Sequence, residues 1–409
     1  MPKPALTTWG KREVVTPKAM TDRITAPQKY YGKMPYFAAQ GCASNTSTPR
    51  TGMALYKGKH VEVLWPAAKV KKFGFTTSSD GKYFIIPEDG VYHVHFQAST
   101  YGNKNRITGN NINVYIEAEN NAPGNGAVGE LGVVINQHLT TNFYHTTPVA
   151  VTEFFTKGTK LKAKVYLDGG AEGNWVIADG AVDTAFYAFM VSPSSEGWHY
   201  ATPGPAPAMK RWTDNEFIDE KRMNEQTTDQ FNALENRARV TGRGVTFNWK
   251  GQREDKNAVT WAGMYRNSVV SGWFQEAEAA PGWGAKTAVN IPWDGLYLVS
   301  AFGNARHSAQ PIANVQYIYQ LGLYGSGGAT AKPMLLTQGG NARTNHESGQ
   351  VISDVVFLQA GTKLNIRFWG VNTATNWDSG RDGSGTVNGT RWWNFAITYL
   401  GRGTYGSGG

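Results

Sequence analysis

Apolar and polar residues alternate along short stretches of the chain, which is the pattern of β-strands with one buried face. Residues 112–117 read Ile-Asn-Val-Tyr-Ile-Glu, and residues 161–166 read Leu-Lys-Ala-Lys-Val-Tyr, which places two lysines on one outward face. Asp-Gly pairs and isolated glycines such as Gly158 and Gly361 mark turns between these stretches. Because no helical pattern separates the strands, the sequence predicts an all-β fold of antiparallel sandwiches or jelly rolls.

A helical pattern is confined to a short stretch in the middle of the chain. Residues 219–237 lack Gly and Pro and place apolar side chains at helical spacings, namely Met223, Phe231 and Leu234. We expect Asp214 to be the N-cap of this helix, with Asp219 as the later alternative. A related segment near the N-terminus is interrupted by Pro17 and Pro27, so its helix should be shorter.

The chain contains an internal duplication at an offset of 203 to 205 residues. The segment that begins at Trp9 returns at Trp212 with Trp, Glu, Lys and Met in register. Residues 86–92 and 291–297 share Ile-Pro-x-Asp-Gly-x-Tyr, and residues 158–161 and 361–364 share Gly-Thr-Lys-Leu. Collinear matches over 150 residues are the mark of a repeated domain.

The duplication and a Pro/Gly-rich stretch divide the chain of 409 residues, which is long enough for two domains. Each domain should follow a short, partly helical connector that opens with tryptophan. The expected units are a basic N-terminal anchoring arm and connector (1–40), jelly-roll domain 1 (41–192), a linker (193–211), a helical connector (212–240), jelly-roll domain 2 (241–401) and a Gly-rich tail (402–409).

Composition agrees with a β-rich protein and excludes several classes. Charged residues are 17%, aromatic residues are 12% and glycine occurs 48 times, which does not fit a disordered chain or a coiled coil. No run of 18 apolar residues predicts a membrane span. The single Cys42 has no partner for an intramolecular disulfide. With no apolar leader at its start, the chain is expected to be made in a cytosol.

The net charge of +9 is concentrated at the N-terminus, where residues 1–35 hold seven basic and two acidic residues. Such a segment is either a solvated tail or a docking arm for an acidic surface. We expect a protein surface rather than nucleic acid, because no basic patch interleaved with aromatic residues follows and the arm carries Pro2, Pro4, Pro17 and Pro27. The predicted anchoring residues are Trp9, Lys11, Arg12, Lys18 and Arg23.

The repeated motifs resemble those of the C1q/TNF-like jelly-roll family. The resemblance rests on Ile-Pro-x-Asp-Gly-x-Tyr at 86–92 and Phe-Phe-x-x-Gly-Thr-Lys-Leu at 154–161, with their copies in the second half. It implies two tandem jelly rolls that form trimers around a threefold axis. The opening Trp-x-x-x-Glu-x-Val-Thr at 9–16 is similar to the N-terminal segment of minor tail and fibre proteins of tailed bacteriophages. That similarity implies a virion protein with appended adhesion domains.

The sequence carries no recognised catalytic motif: it lacks Gly-x-Ser-x-Gly, a P-loop and His-Glu-x-x-His. His93 and His95 lie two apart on one strand face, so they are weak candidates for a metal site. The repeat has Leu298 and Ser300 at these positions, so a strand surface that is half-buried or faces a subunit is the stronger interpretation. At a threefold axis, this histidine pair would make assembly pH-sensitive. We expect no cofactor, no metal and no enzymatic activity.

Tryptophan is concentrated in the second half, with nine of 14 residues after position 245. Some of them fall in polar, Gly-rich stretches that we interpret as loops, among them residues 372–389. Exposed indoles there could contact a sugar or a protein, or could pack on an adjacent subunit. The candidates for receptor contact are Trp273, Trp283, Trp377, Asp378 and Arg381.

Together these features predict a non-enzymatic structural protein of a tailed-bacteriophage virion, made in the host cytoplasm. The expected form is a homotrimeric tail fibre or minor tail protein, bound to other virion proteins through its N-terminal arm. Its distal domain would contact a host surface glycan or protein, with no nucleic acid partner and no membrane insertion. The alternatives are a capsid decoration or head-fibre protein and, from another class, a soluble carbohydrate-binding module.

Overall fold

The computed structural model describes 266 residues, and every structural statement below concerns these residues. They are 6–11, 13, 15–47, 50–102, 110–119, 129–138, 144–168, 175–193, 219–235, 237, 239–245, 248–250, 261–266, 289–307, 317–326, 332–341, 347–370, 376–378 and 393–401.

The helices are short and lie before each strand-rich region. They are α1 (Pro17–Met20), α2 (Ala26–Tyr31), α3 (Glu220–Gln226) and α4 (Thr228–Glu235), with a π-helical turn at Thr21–Thr25 and a 3₁₀ turn at Ala67–Lys69.

The strands of the first half are β1 (Tyr36–Gln40), β2 (Gly52–Leu55), β3 (His60–Glu62), β4 (Val70–Phe73), β5 (Thr76–Thr77), β6 (Tyr83–Ile85), β7 (Gly90–Gly102), β8 (Asn110–Glu119), β9 (Gly129–His138), β10 (Tyr144–Phe155), β11 (Lys160–Asp168), β12 (Trp175–Ala178) and β13 (Ala185–Ser192). Those of the second half are β14 (Arg239–Val245), β15 (Asn248–Lys250), β16 (Trp261–Arg266), β17 (Val289–Asn290), β18 (Gly295–His307), β19 (Tyr317–Ser326), β20 (Lys332–Asn341), β21 (Glu347–Leu358), β22 (Lys363–Gly370), β23 (Asn376–Asp378) and β24 (Trp393–Gly401).

The strands form two sandwiches, and the same strand order occurs in both. In the first sandwich, one sheet runs β2-β12-β7-β13-β1-β4 with β10 beside β7, and the other contains β6-β11-β8-β9. In the second sandwich, the corresponding sheets run β15-β23-β18-β24-β14-β16 with β21 beside β18, and β17-β22-β19-β20. All pairings between these strands are antiparallel, which confirms the predicted all-β jelly-roll class.

The core of the first sandwich follows from the alternation seen in the sequence. Alternate residues of β11 point inward and are buried, whereas the lysines between them point outward. Aromatic side chains fill the space between the sheets: Phe37 stacks on Phe84 with ring centroids 3.8 Å apart, and Phe186 meets both at an edge. The resulting core is one continuous cluster of buried side chains.

The duplicated motifs form the same pair of turns in both sandwiches. Asp89 accepts a hydrogen bond from the backbone N–H of Lys157 at 2.6 Å, and Asp294 accepts one from Ala360 at 2.7 Å. Gly158 and Gly361 have φ angles of 87° and 80°, which glycine adopts at no steric cost. The repeated Asp-Gly and Gly-Thr signals therefore mark two turns that a hydrogen bond joins in each sandwich.

The second connector differs from the expectation at its N-terminus. Asp219, rather than Asp214, caps α3, because its side chain accepts a hydrogen bond from the backbone N–H of Arg222 at 2.7 Å. Asp214 lies outside the described residues. Thr227 then departs from helical geometry and separates α3 from α4.

Candidate functional site: the contact between the two sandwiches

The two sandwiches share a buried contact in which an edge of the first covers a sheet face of the second. The ring of Phe302, on the outward face of β18, lies within the core of the first sandwich. Gly132 makes room for it, because a Cβ at this position would lie 3.1 Å from Cζ of Phe302. A side chain of one sandwich thus completes the core of the other.

Asn304 extends the same contact by hydrogen bonds. Its side-chain amide donates to the carbonyl of Val133 at 2.7 Å and accepts from the N–H of Ile135 at 2.9 Å. These backbone groups lie on the side of β9 away from β8, where a further strand would otherwise pair. The buried Asn304 side chain therefore satisfies backbone hydrogen-bonding groups of β9, an edge strand of the first sandwich.

A chain of polar side chains crosses the contact beside this edge. Ser353 lies 3.2 Å from Nε2 of His93, whose Nδ1 lies 2.9 Å from Thr152. Thr152 in turn lies 3.0 Å from the hydroxyl of Ser300. Burial lowers the pKa of His93 to about 3, with the neighbouring His95 as a smaller cause. The ring is therefore neutral at pH 7 and can donate through one nitrogen and accept through the other.

His95 lies two residues further along β7 and stacks on Tyr187, with ring centroids 4.7 Å apart. Burial lowers its pKa to about 4. Among the described residues, no group of three or more His, Cys, Asp or Glu side chains could hold a metal ion. His93 thus lies at the contact between the sandwiches, whereas His95 packs on Tyr187 within the first sandwich.

The N-terminal segment is docked on the second connector. Trp9 is buried, its indole N–H donates to the hydroxyl of Thr227 at 3.1 Å, and its backbone N–H donates to Asn224 at 2.7 Å. Tyr31 stacks on Phe231 at 5.3 Å. The two connectors, which are copies of one another in the sequence, therefore form one helical unit, which we call the connector clasp.

The predicted anchoring residues divide into two groups within this clasp. Trp9 and Arg23 serve internal packing, because the Arg23 guanidinium lies 4.7 Å from the centroid of the Trp9 ring and pairs with Glu13 at 2.7 Å. Lys11 and Lys18 are exposed, with Lys18 paired to Asp22. Arg12 lies outside the described residues. The basic surface of the segment is thus presented by a folded clasp.

The predicted receptor-contact residues are only partly described. Trp273, Trp283 and Arg381 lie outside the described residues. Trp377 and Asp378 lie on β23, which pairs with β15 and β18, so the expectation that they belong to a loop was wrong. Trp377 corresponds to Trp175 in the repeat, because Trp377 pairs with His307 on β18 as Trp175 pairs with Gly102 on β7. Trp175 is buried in its sheet. The repeat therefore assigns this position to a sheet.

Two further features were considered as sites for chemistry. Cys42 is buried, and burial raises the pKa of its thiol to about 12, so it is not an activated nucleophile. A cavity of about 470 Å³ borders Trp65 and the turn at residues 77–81. Its Lys72 donates to Thr77 at 2.6 Å, and its Asp80 pairs with Lys82 at 3.4 Å, so both charged groups already serve local structure. Neither place unites a nucleophile with a base.

Sequence reasoning found the histidine pair and the N-terminal segment but missed Phe302 and Asn304. Their repeat counterparts are Gln97 and Ser99, so comparison of the two copies could have marked both positions as specialised. The docking of Trp9 on Asn224 and Thr227 had no signal in either segment alone.

Comparisons with known proteins were made at the level of sequence and of structure. No protein-family model matches the chain, and no curated protein matches it. Its structural neighbours are TNF-like jelly-roll proteins. Eiger TNF from S. frugiperda is 11% identical with a TM-score of 0.28, and the match covers 42% of this chain and 97% of that chain. Murine APRIL, at pH 8.0 and at pH 5.0, is 13% identical with a TM-score of 0.27, covering 39% of this chain and 99% of that chain.

None of the helices in the described part of the chain is both long and apolar enough to cross a membrane.

Proposed function

We propose that this chain is a non-enzymatic structural protein of a tailed-bacteriophage virion. In this proposal it is a homotrimeric tail fibre or minor tail protein, made in the host cytoplasm. The clasp fixes it to the particle, and the sandwiches extend outward, where the second one contacts a host surface glycan or protein. The observation that carries the proposal is the fusion of two jelly rolls into one block by Phe302 and Asn304.

Two features favour a structural role for the chain over the binding of a small molecule. The polar groups at the contact between the sandwiches are used for hydrogen bonds across it, as in the chain from Ser353 to Ser300. The exposed Lys11 and Lys18 lie on a segment that Trp9 holds against α3 and α4. Exposed lysines on a docked segment are suited to attachment to an acidic protein surface.

Cryo-microscopy of the virion tests this proposal. We expect density for both sandwiches at the tail, with the clasp toward the particle. Density on the head would favour the capsid decoration or head-fibre alternative. Absence from purified particles, together with glycan binding by the free protein, would overturn the proposal in favour of a soluble carbohydrate-binding module.

The attachment surface has its own test in particles that carry charge-reversed proteins. The double substitution Lys11→Glu and Lys18→Glu should lower the copy number per particle several-fold, because both lysines are exposed. The matched control is Lys57→Glu with Lys59→Glu, since these lysines are exposed on the first sandwich. Equal incorporation of both variants would contradict attachment through the clasp.

A further inference from the structure

The repeat matches each position of one sandwich to a position of the other, and some matched pairs have opposite exposure. The pairing of β7 with β10 corresponds to that of β18 with β21, so Val91 matches Leu296 and Thr152 matches Val355. Val91 and Thr152 are buried, whereas Leu296 and Val355 are 39% and 47% exposed. We call Leu296 and Val355 the aliphatic edge.

On the neighbouring sheet face, the exposed residues lie in the first sandwich and their buried counterparts lie in the second. Phe189 matches Thr398 because they pair with His93 and Leu298, which are themselves matched. Tyr36 likewise matches Arg239 at the adjoining strand. Thr398 and Arg239 are buried, whereas Phe189 and Tyr36 are 37% and 44% exposed. Phe73, which pairs with Tyr36, is also exposed, and we call these three residues the aromatic face.

These differences follow from the way in which the two sandwiches meet. The edge of the first sandwich, with Val91 and Phe154, packs against Leu298 and Leu400 of the second. Among the described residues, this contact leaves the aromatic face of the first sandwich and the aliphatic edge of the second uncovered. Both are apolar, and each occupies the position that is covered in the other copy of the repeat.

We propose that a second copy of this chain docks its aliphatic edge on the aromatic face, in the way that the two sandwiches meet within one chain. The aromatic face is continuous with the existing contact, because Phe189 pairs with the buried His93. Since the two surfaces differ, the contact is head-to-tail and builds a ring if its rotation closes. Three copies would form a ring of six sandwiches. This inference rests on the self-assembly in the proposed function.

The head-to-tail geometry permits a test by mixing two variants, each of which loses one surface. Phe189→Arg places a charge on the aromatic face, and Val355→Arg places one on the aliphatic edge. Wild-type protein should sediment as a multiple of the 44.7 kDa chain, and each variant alone as a single chain. An equimolar mixture should give a species of twice the chain mass and nothing larger, because only one intact pair of surfaces remains.

Val182→Arg is the matched control, since Val182 is exposed in the turn before β13, and it should keep the wild-type mass. Equal thermal midpoints and near-ultraviolet spectra establish that the variants are folded, and Tyr36→Arg should repeat the effect of Phe189→Arg. Variants that keep the wild-type mass, or a mixture that stays at the single-chain mass, would overturn the proposed surfaces while leaving self-assembly intact. A single-chain wild type at its highest soluble concentration would overturn both, whereas location on the particle is tested separately by cryo-microscopy.

Discussion

At the scale of the residue, comparison of the two copies distinguishes residues that the common fold requires from residues that serve one copy alone. Tyr92 and Tyr297 occupy matched positions, and each donates its hydroxyl to a backbone carbonyl four residues earlier at 2.8 Å. His93 and Leu298 are also matched, yet only the histidine links Thr152 to Ser353 across the contact. The tyrosine therefore belongs to the common fold, and the histidine belongs to the contact.

The free energy of unfolding should fall in acid, because His93 binds a proton more readily in the unfolded chain than in the folded protein. Burial lowers its pKa to about 3, below the ordinary value of 6.5, so the unfolded chain binds the extra proton first. The free energy of unfolding should therefore be unaffected by His93 above pH 6.5 and fall by about 1.4 kcal/mol per pH unit between pH 6 and pH 4. Denaturant unfolding of wild type and His93→Gln measures this, because glutamine does not titrate.

We expect the stability of His93→Gln to depend less steeply on pH across that interval, while both proteins show cooperative unfolding at pH 8. Parallel curves for the two proteins would contradict the assignment of the acid sensitivity to His93. The remaining slope of the variant includes the contributions of His95 and His145, because burial lowers both pKa values, that of His95 to about 4.

At the scale of the element, the connector clasp joins two segments that are distant in sequence. The indole N–H of Trp9 reaches Thr227, and the hydroxyl of Thr228 donates to the carbonyl of Thr7 at 3.2 Å. The first connector also reaches the sandwich, because the hydroxyl of Tyr30 donates to Glu88 at 2.5 Å. Helices as short as α1 and α2 gain their stability from such contacts rather than from their own hydrogen bonds.

Loss of the indole hydrogen bond should loosen the clasp without unfolding the sandwiches. Trp9→Phe keeps an aromatic ring beside Arg23 but leaves Thr227 without the indole donor, at a cost of about 1 kcal/mol. Limited proteolysis should then release the N-terminal segment several-fold faster than in wild type. Thr227→Val removes the acceptor of this bond together with the bond that the Thr227 hydroxyl donates to Met223 at 2.6 Å, so the double variant should be cleaved at nearly the rate of Thr227→Val alone. Additive effects would contradict a direct bond between the two side chains.

Much of each element could be predicted from the sequence, because strand alternation and turn chemistry are local signals. The Asp-Gly and Gly-Thr turns of residues 89–90 and 158–159 were identified correctly, as was the antiparallel class. The placement of Trp377 in a loop was wrong, because its polar and glycine-rich neighbours are typical of a loop, whereas its match to Trp175 follows from the strand pairings. The burial of Trp9 depends on partners more than 200 residues away, which neither periodicity nor composition encodes.

At the scale of the whole molecule, the contact between the sandwiches distinguishes one rigid block from two domains on a tether. An apolar pattern shows that Phe302 is buried but not that its ring belongs to the core of the other sandwich. Asn304 also joins the two sandwiches, because its side chain makes the hydrogen bonds to β9 that a neighbouring strand would otherwise make. Cooperative unfolding of the two sandwiches should therefore depend on these two residues more than on the link between them.

Truncation of Phe302 should uncouple the sandwiches. Phe302→Ala removes a buried ring from the first core at a cost of about 3–5 kcal/mol, all of it at the contact. Scanning calorimetry should show a single transition for wild type and two for the variant, because each sandwich retains its own sheets. The control is Gln97→Ala at the matched position of the first sandwich, where the side chain donates to the nearby carbonyl of Val182 at 3.1 Å. Two transitions in wild type, or one in Phe302→Ala, would show that the sandwiches are not coupled through this ring.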